Sequence, residues 1–400
     1  ESSDAPTYGG TFIPGKRVVY SVPEKIQDVG KEHGGQLYAQ YTGNSNPNEE
    51  WCIRIMGGHS IPTLDLHNET DHEKRVQKAE AFITDLDETL DLLGKSKANE
   101  ADHKAAHLAE SKLVVDKVVQ DTINPSVDVN YSETGCIHNA AEIMTDTMLY
   151  SVPAAKVAAS CKGSTLRERA ESLIKHMDGS EQLMRLFYQH KGLMFEREGA
   201  TGSNRVSSQH LNIRCMQMFA GAFMYAAGNH IGVGYPESGN FAILNPISDA
   251  AIAPGGTRAS GDGFYFGWGT AHEIGHNINN NRYAYAEVTN NYFAQLCKMI
   301  NEGTTRFSYD AVYDRVTSGA QGRTGSVMIQ LAMYWQLMLA HDTHEVYTLY
   351  DNYADLQANR FFARVDGLAR NPGSATKADG SALEIPLVVN AGESQNIIRL

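Results

Sequence analysis

Hydrophobic and polar positions divide the chain into stretches of different period. Up to about residue 66, RVVYSVP, GGQLYAQYTG and EEWCIRIMGG are short β-branched or aromatic runs separated by Gly, Pro and Asn, which predicts strands. From about 69 the pattern changes. Residues 71–93 and 99–121 are charged, nearly free of Gly and Pro, and carry apolar residues at helical spacing, which predicts two surface-facing helices broken at Asn124-Pro125. More helix is expected over 138–195, where Thr165-Leu-Arg-Glu168 is a capping box.

Residues 198–212 read as a loop and 212–227 as an apolar helix. Residues 228–267 are rich in Gly, Pro, Asn and Ser, with short strand-like pieces such as GNFAIL and GFYFGW. Residues 326–342 read as a buried helix, 345–370 as helical and 371–400 as extended chain. These patterns predict an α+β protein: a β-rich N-terminal module (1–68), a helical region (69–197), a mainly helical core (198–370) and an extended tail (371–400). No internal repeat is visible.

The chain has 400 residues, of which 42% are hydrophobic, and a net charge of −13. That is ample for a large core. The acidic balance argues against a nucleic-acid partner, because phosphates demand a basic surface. The longest apolar run, from Met216 to Ala227, is too short to span a bilayer. Five cysteines without a CxxC pair (Cys52, Cys136, Cys161, Cys215, Cys297) read for the most part as buried thiols, not as a disulfide framework. The start at Glu1 reads as a processed or excised piece, so a missing leader says nothing about export.

The chemistry concentrates in His272-Glu273-Ile274-Gly275-His276. Two histidines four apart share a helix face and can hold one Zn²⁺, and a glutamate between them is placed to act as general base on the attacking water. The flanks Trp268, Gly269, Thr270, Ala271, Asn277 and Ile278 are uncharged, as a buried helix needs. Asn279, Asn280 and Asn281 should end this helix, and a second is expected from Tyr283 to a C-cap at Gly303. Glu287 in its first turns can fold back as the third ligand; Glu302 ranks below it at the helix end. Position 279 lacks the glycine, and position 282 the third histidine, of the metzincin spacing, and Leu296 stands where a thermolysin-like ligand would fall. Two histidines, a glutamate and one open position make a catalytic zinc arrangement.

Other groups are read around this centre. Asn291, one turn past Glu287, could steady its carboxylate or a neighbour. Trp268, four residues before His272, shares its helix face and is the residue expected to meet substrate. His341, Tyr334, Tyr283 and Tyr265 are open choices for an oxyanion donor. His103 and His107 also have the i, i+4 spacing, but Lys104 stands where a base would be. His230 reads as a loop histidine with a backbone partner.

The strings GWGTAHEIGHNINN and AEVTNNYFAQL resemble the bacterial mucin-degrading and viral enhancin group of gluzincins, peptidase family sixty. GGTFIPGKRVVYSVP resembles the strand-rich start of such domains. The resemblance implies a gluzincin-type catalytic core over 198–370, with His272, His276 and Glu287 as zinc ligands and Glu273 as base. It implies a secreted or cell-surface bacterial enzyme that cuts O-glycosylated proteins such as mucins, with Trp268 the first residue to test for glycan contact and Arg282, Arg306, Arg315 and Arg323 as looser choices. In such folds a sheet edge runs over the metal helix, a place that the aromatics of residues 263–269 would suit, while Phe264 and Phe266 read equally well as ordinary core packing. The alternatives are a general zinc protease without a glycan requirement and a glycan-binding or adhesion module with structural zinc. An intact Glu273 favours an enzyme over the latter.

Overall fold

The structure is a computed structural model. It describes residues 60–98, 139–216, 224–228, 230–234, 266–280, 284–318, 326–371 and 381. The strand runs expected before residue 60, the helix at 99–121 with His103 and His107, and nearly all of the 371–400 tail lie outside these residues.

The described chain is a mixed α+β fold. In order it runs β1 (Thr63–Asp65), α1 (His72–Ala98), β2 (Ala141–Met144), β3 (Met148–Val152), α2 (Ala154–Ser160), α3 (Leu166–His190), β4 (Leu211–Met216), β5 (Met224–Ala227) and β6 (His230–Gly234). Six helices follow: α4 (Trp268–Ile278), α5 (Asn291–Glu302), α6 (Tyr309–Thr317), α7 (Val327–His341), α8 (Tyr353–Asn359) and α9 (Phe361–Arg370). No helix among the described residues is long and apolar enough to cross a membrane.

Among the described residues the strands form one six-stranded sheet in the order β1-β2-β3-β4-β6-β5. β2–β3 and β5–β6 pair antiparallel and the other pairs are parallel. The register sets Leu64, Ile143, Tyr150, Ile213, Ile231 and Ala226 in one row across all six strands. Side chains at one register level share a face. This row joins a single core with Phe82 and Ile83 of α1, Leu183 and Phe187 of α3, Ile274 of α4 and Phe293 of α5. One sheet therefore draws β1 from the segment before residue 68, β2 and β3 from 69–197 and β4 to β6 from beyond 198.

Several elements depart from the sequence expectation. Helix was expected over 138–195, but 141–152 is a β-hairpin. Its turn is closed by the Thr145 N–H donating to the Met148 carbonyl at 2.9 Å, and Ile143, Tyr150 and Val152 are buried β-formers. The apolar helix expected over 212–227 is instead strand at both ends, β4 and β5. A continuous apolar run has no period to separate a buried strand from a buried helix. His230 opens a strand, not a loop, and its ring meets side chains: Arg214 Nη2 at 2.7 Å and Tyr225 Oη at 3.1 Å.

Elsewhere local signals match. The Thr165–Glu168 capping box closes at the start of α3, and α7 occupies the expected buried stretch with Trp335 at its centre. α1 is less surface-facing than expected. Val76, Ala79, Phe82, Ile83 and Leu86 bury one stripe of it.

Candidate metal centre

α4 carries His272, Glu273 and His276, and Asn279 caps its end as the asparagine run predicts. Ala271 and Ile274 bury the opposite face in the core. The histidines and the glutamate therefore point to the cleft side, where their ligand atoms lie within 4.8 Å of one another.

Glu287 arrives from a turn, not from a helix. The expected helix start near Tyr283 is displaced to Asn291, because 286–290 fold as a tight turn. Glu287 itself adopts a left-handed backbone at φ 66, a conformation that costs about 1–3 kcal/mol for a non-glycine residue and persists only when its surroundings impose it. Those surroundings are built by the rest of the E-V-T-N-N string. Val288 is fully buried. The Thr289 hydroxyl accepts from the Tyr285 N–H and donates to its carbonyl, both at 3.1 Å. The far end of α5 matches expectation, with Gly303 in the left-handed C-cap conformation.

The result is a convergence of donors. Glu287 Oε2 lies 3.4 Å from His272 Nε2, and Oε1 lies 3.3 Å from His276 Nε2. Nitrogen and oxygen ligands around a tetrahedral divalent ion, at bonds of about 2.0–2.2 Å, stand about 3.3–3.5 Å apart. Two imidazoles and a carboxylate at that separation fit such an ion. Glu302 is at the other end of α5, where it pairs with Lys298, about 16 Å along the helix axis from Asn291.

Two asparagines hold the histidines. His272 Nδ1–H donates to Asn291 Oδ1 at 2.7 Å, which leaves the Nε2 lone pair facing Glu287. The Asn291 amide donates in turn to the Glu287 backbone carbonyl. Asn290 was not singled out from the sequence. It is fully buried, and its Nδ2 lies 3.1 Å from His272 Nε2 and 3.0 Å from His276 Nε2. The missed signal is the asparagine doublet after Glu-Val-Thr.

Burial raises the Glu273 carboxyl above the usual carboxylate range, with the His272 charge opposing and the Glu287 charge adding. Burial and the neighbouring His272 lower His276, which favours the neutral imidazole a metal needs. Behind the turn, Tyr292 Oη meets His190 Nδ1 at 2.7 Å. His190 packs on the fully buried Arg360, which donates to Asp342 Oδ2 at 2.9 Å and to the Thr348 carbonyl at 2.8 Å. This buried network anchors the N-terminal end of α5.

A cleft of about 570 Å³ opens over the centre. One wall is His272, Glu273, His276, Asn277 and Glu287, and the other is residues 224–228. Among the described residues the sheet edge beside α4 is β5, where sequence placed residues 263–269; 263–265 lie outside the described residues and Trp268 begins α4. Trp268 packs on the core with Arg306 over its ring at 4.5 Å, and is not among the residues that line the cleft. Of the oxyanion choices, His341 stacks on Phe361 and Tyr334 on Phe362; Tyr265 and Tyr283 lie outside the described residues.

His272, Glu273 and His276 form a group that could hold a metal ion, and the Glu287 carboxylate stands beside both histidines. No protein-family model matches the chain, and no curated protein matches it significantly. Solved structures that resemble it include metallopeptidase catalytic domains. ZmpB metallopeptidase from Clostridium perfringens is 17% identical, with a TM-score of 0.45 over 80% of this chain and 48% of that one. The M60 catalytic domain of ZmpC from the same organism, in complex with the sialyl T antigen, is 16% identical, with a TM-score of 0.44 over 85% and 55%. IMPa from Pseudomonas aeruginosa, in complex with an O-glycopeptide, is 12% identical, with a TM-score of 0.45 over 85% and 35%. The chain spans 35–55% of the length of these three structures.

Proposed function

We propose that this chain is the catalytic part of a zinc metalloendopeptidase that cuts O-glycosylated, mucin-type proteins next to a glycosylated Ser or Thr. The observation that supports it most is the convergence of His272 Nε2, His276 Nε2 and the Glu287 carboxylate at 3.3–3.4 Å beside Glu273. In this reading those three side chains hold Zn²⁺, and Asn291 orients His272. Zinc, when bound, supplies a Lewis acid that polarises the scissile carbonyl and makes water acidic near neutral pH.

Glu273 accepts the proton of the attacking water and passes it to the leaving amine nitrogen. The Ala226 N–H donates to Glu273, so the edge strand β5 helps set the carboxylate. An extended peptide can add to the outer edge of such a strand, which places its carbonyl over α4.

The glycan requirement comes from the resemblance of the motif strings and from the acidic surface. A chain of net charge −13 gains nothing from long-range attraction to sialylated substrates, so local contacts must select them. The test is digestion of one O-glycosylated glycoprotein, before and after removal of its glycans, with cleavage sites mapped by mass spectrometry. Cuts beside glycosylated Ser or Thr, lost on deglycosylation, are expected. Equal rates on both forms would leave a general zinc protease. No cleavage of either form by zinc-loaded protein would leave a binding module.

A further inference from the structure

Among the described residues the wall of the cleft opposite α4 is β5, and its residues alternate in direction. Ala226 packs on the core in one row with Ile213 and Ile231, so Tyr225 and Ala227 point to the other face of the sheet. Both line the cleft. Across the sheet Tyr225 stands level with Gly232 of β6 and Arg214 of β4. Gly232 puts no side chain between them, and His230, two residues back on β6, shares their face. Arg214 Nη2 lies 2.7 Å from His230 Nε2, and Tyr225 Oη lies 3.1 Å from the same nitrogen. A guanidinium has only protons to give, so this nitrogen is an acceptor and the Tyr225 hydroxyl donates to it as well. The two rings meet edge to face, at 5.6 Å and 88°. His230 is itself tied to the metal helix, because the Asn277 amide donates to its carbonyl at 3.2 Å.

The Tyr225 ring is thus held by its far end over the sheet while it borders the cleft. Two residues on, the same face carries only the methyl of Ala227, and a Cβ on the next residue, Gly228, would meet nothing within 4 Å. A large fixed ring beside a methyl makes a step. We propose that Tyr225 and Ala227 form a specificity pocket, with Tyr225 as its wall and Ala227 as its floor, that selects a bulky apolar side chain, β-branched or aromatic, on the peptide that is cut.

The inference rests on the reading of this cleft as a peptidase site with substrate added to β5, and the register then gives the position. The Ala226 N–H donates to Glu273, so the peptide residue alongside Ala226 lies over that carboxylate. A strand added to a sheet edge turns its side chains alternately to two faces, and pockets for alternate side chains supply specificity. The residue alongside Tyr225 is one step of about 3.3 Å further along, and its side chain falls on the Tyr225 face. Directly opposed side chains stand about 4.5–5.5 Å apart, and an aromatic ring there favours β-branched and aromatic partners. Selection therefore falls on a residue beside the cut, and on its side chain, separately from any sugar nearby.

The test is a set of Thr-containing peptides in which each position around the cut is changed in turn to Ala, Val and Phe. Each is made with and without one O-linked N-acetylgalactosamine. At one position beside the cut, kcat/KM of the wild-type protein should favour Val and Phe over Ala by up to about fivefold. Tyr225→Ala should abolish that preference and leave those at other positions, and the zinc content, unchanged. Ala227→Val, which raises the floor, should turn the preference toward Ala. Tyr225→Phe keeps the ring and should keep most of it. Equal losses in Tyr225→Phe and Tyr225→Ala would assign the effect to the hydroxyl and overturn the pocket. A fall in kcat for every peptide alike, or no preference in the wild type, would overturn it too. The sugar-bearing and bare peptides read the glycan requirement separately: its absence removes the glycan reading, and a surviving side-chain preference still upholds the pocket. If zinc-loaded protein cuts no peptide, the same set is compared for binding by calorimetry. A binding preference that Tyr225→Ala loses would then uphold the pocket without the peptidase, and equal binding of all peptides would overturn both.

Discussion

Gly275 lies between the two histidines where α4 crosses the turn that precedes α5. A Cβ built there would stand 2.5 Å from the Asn290 carbonyl oxygen and 2.8 Å from both Asn290 Cα and Phe293 Cδ2. Ordinary contact begins near 3.4 Å, so Gly275→Ala would force the two backbones about 0.9 Å apart in a region packed too tightly to absorb it. The bond from His272 Nδ1 to Asn291 Oδ1, now 2.7 Å, would open toward about 3.6 Å, beyond hydrogen-bond reach. Overpacking of this kind costs about 1–3 kcal/mol, and loss of the outer partner weakens metal binding about 10–100-fold. Two measurements check this: zinc affinity by chelator competition, and thermal unfolding of the metal-free protein. A glycine in an open helix would behave oppositely, since alanine is the better helix former by about 0.8–1 kcal/mol. A stabilised Gly275→Ala protein with unchanged zinc affinity would refute the close-approach argument.

Four further outcomes follow from the same geometry. Glu273→Gln should keep metal and fold but lose turnover by about two to four orders of magnitude, as loss of an acid–base group does; turnover by a zinc-loaded variant at the wild-type rate excludes the base role. Glu287→Ala should lose zinc while Glu302→Ala keeps it, measured as bound metal after dialysis, and the reverse result moves the ligand to Glu302. Asn291→Ala should weaken zinc about 10–100-fold with little change in metal-free stability, whereas an equal loss of both would make it a packing residue. Burial, with the Arg360 charge adding to it, holds the His190 imidazole well below its usual 6.5. The unfolded chain then binds the extra proton, so metal-free stability should fall as pH drops below about 6.5, by up to about 1.4 kcal/mol per unit, and be flat above it for this group; a His190→Gln protein whose stability falls as steeply over that window contradicts the buried neutral histidine.

The elements that could be read directly are those whose signal is local. The Thr165–Glu168 box, the Gly303 cap, the asparagines that end α4 and the apolar stretch of α7 each state their structure within a few residues. The hairpin at 141–152 and the strands β4 and β5 could not be read that way. Ile143, Tyr150, Ile213 and Ile231 are placed by strand partners that lie up to 63 residues away (Tyr150 to Ile213), and a fully buried strand has no polar face to show a period of two.

The candidate centre divides along the same line. His272, Glu273 and His276 are neighbours on one helix, so their spacing alone brings them together. Glu287 needed only a nearby return, although the backbone that delivers it is a left-handed turn, which helical propensity does not suggest. What holds these groups in place is invisible to spacing. Gly275 matters because another segment's backbone needs its missing side chain, and Asn290 matters because a turn aims its amide back across the gap to α4. Tyr292, His190, Arg360 and Asp342 then fix the far side of that turn through contacts that join positions 190, 292, 342 and 360. The donors at such a centre are therefore written in short-range periodicity, while the precision of their placement is written in pairwise fits between segments. Substitutions at Gly275 and Asn290 should for that reason change metal affinity and geometry without touching a single donor atom.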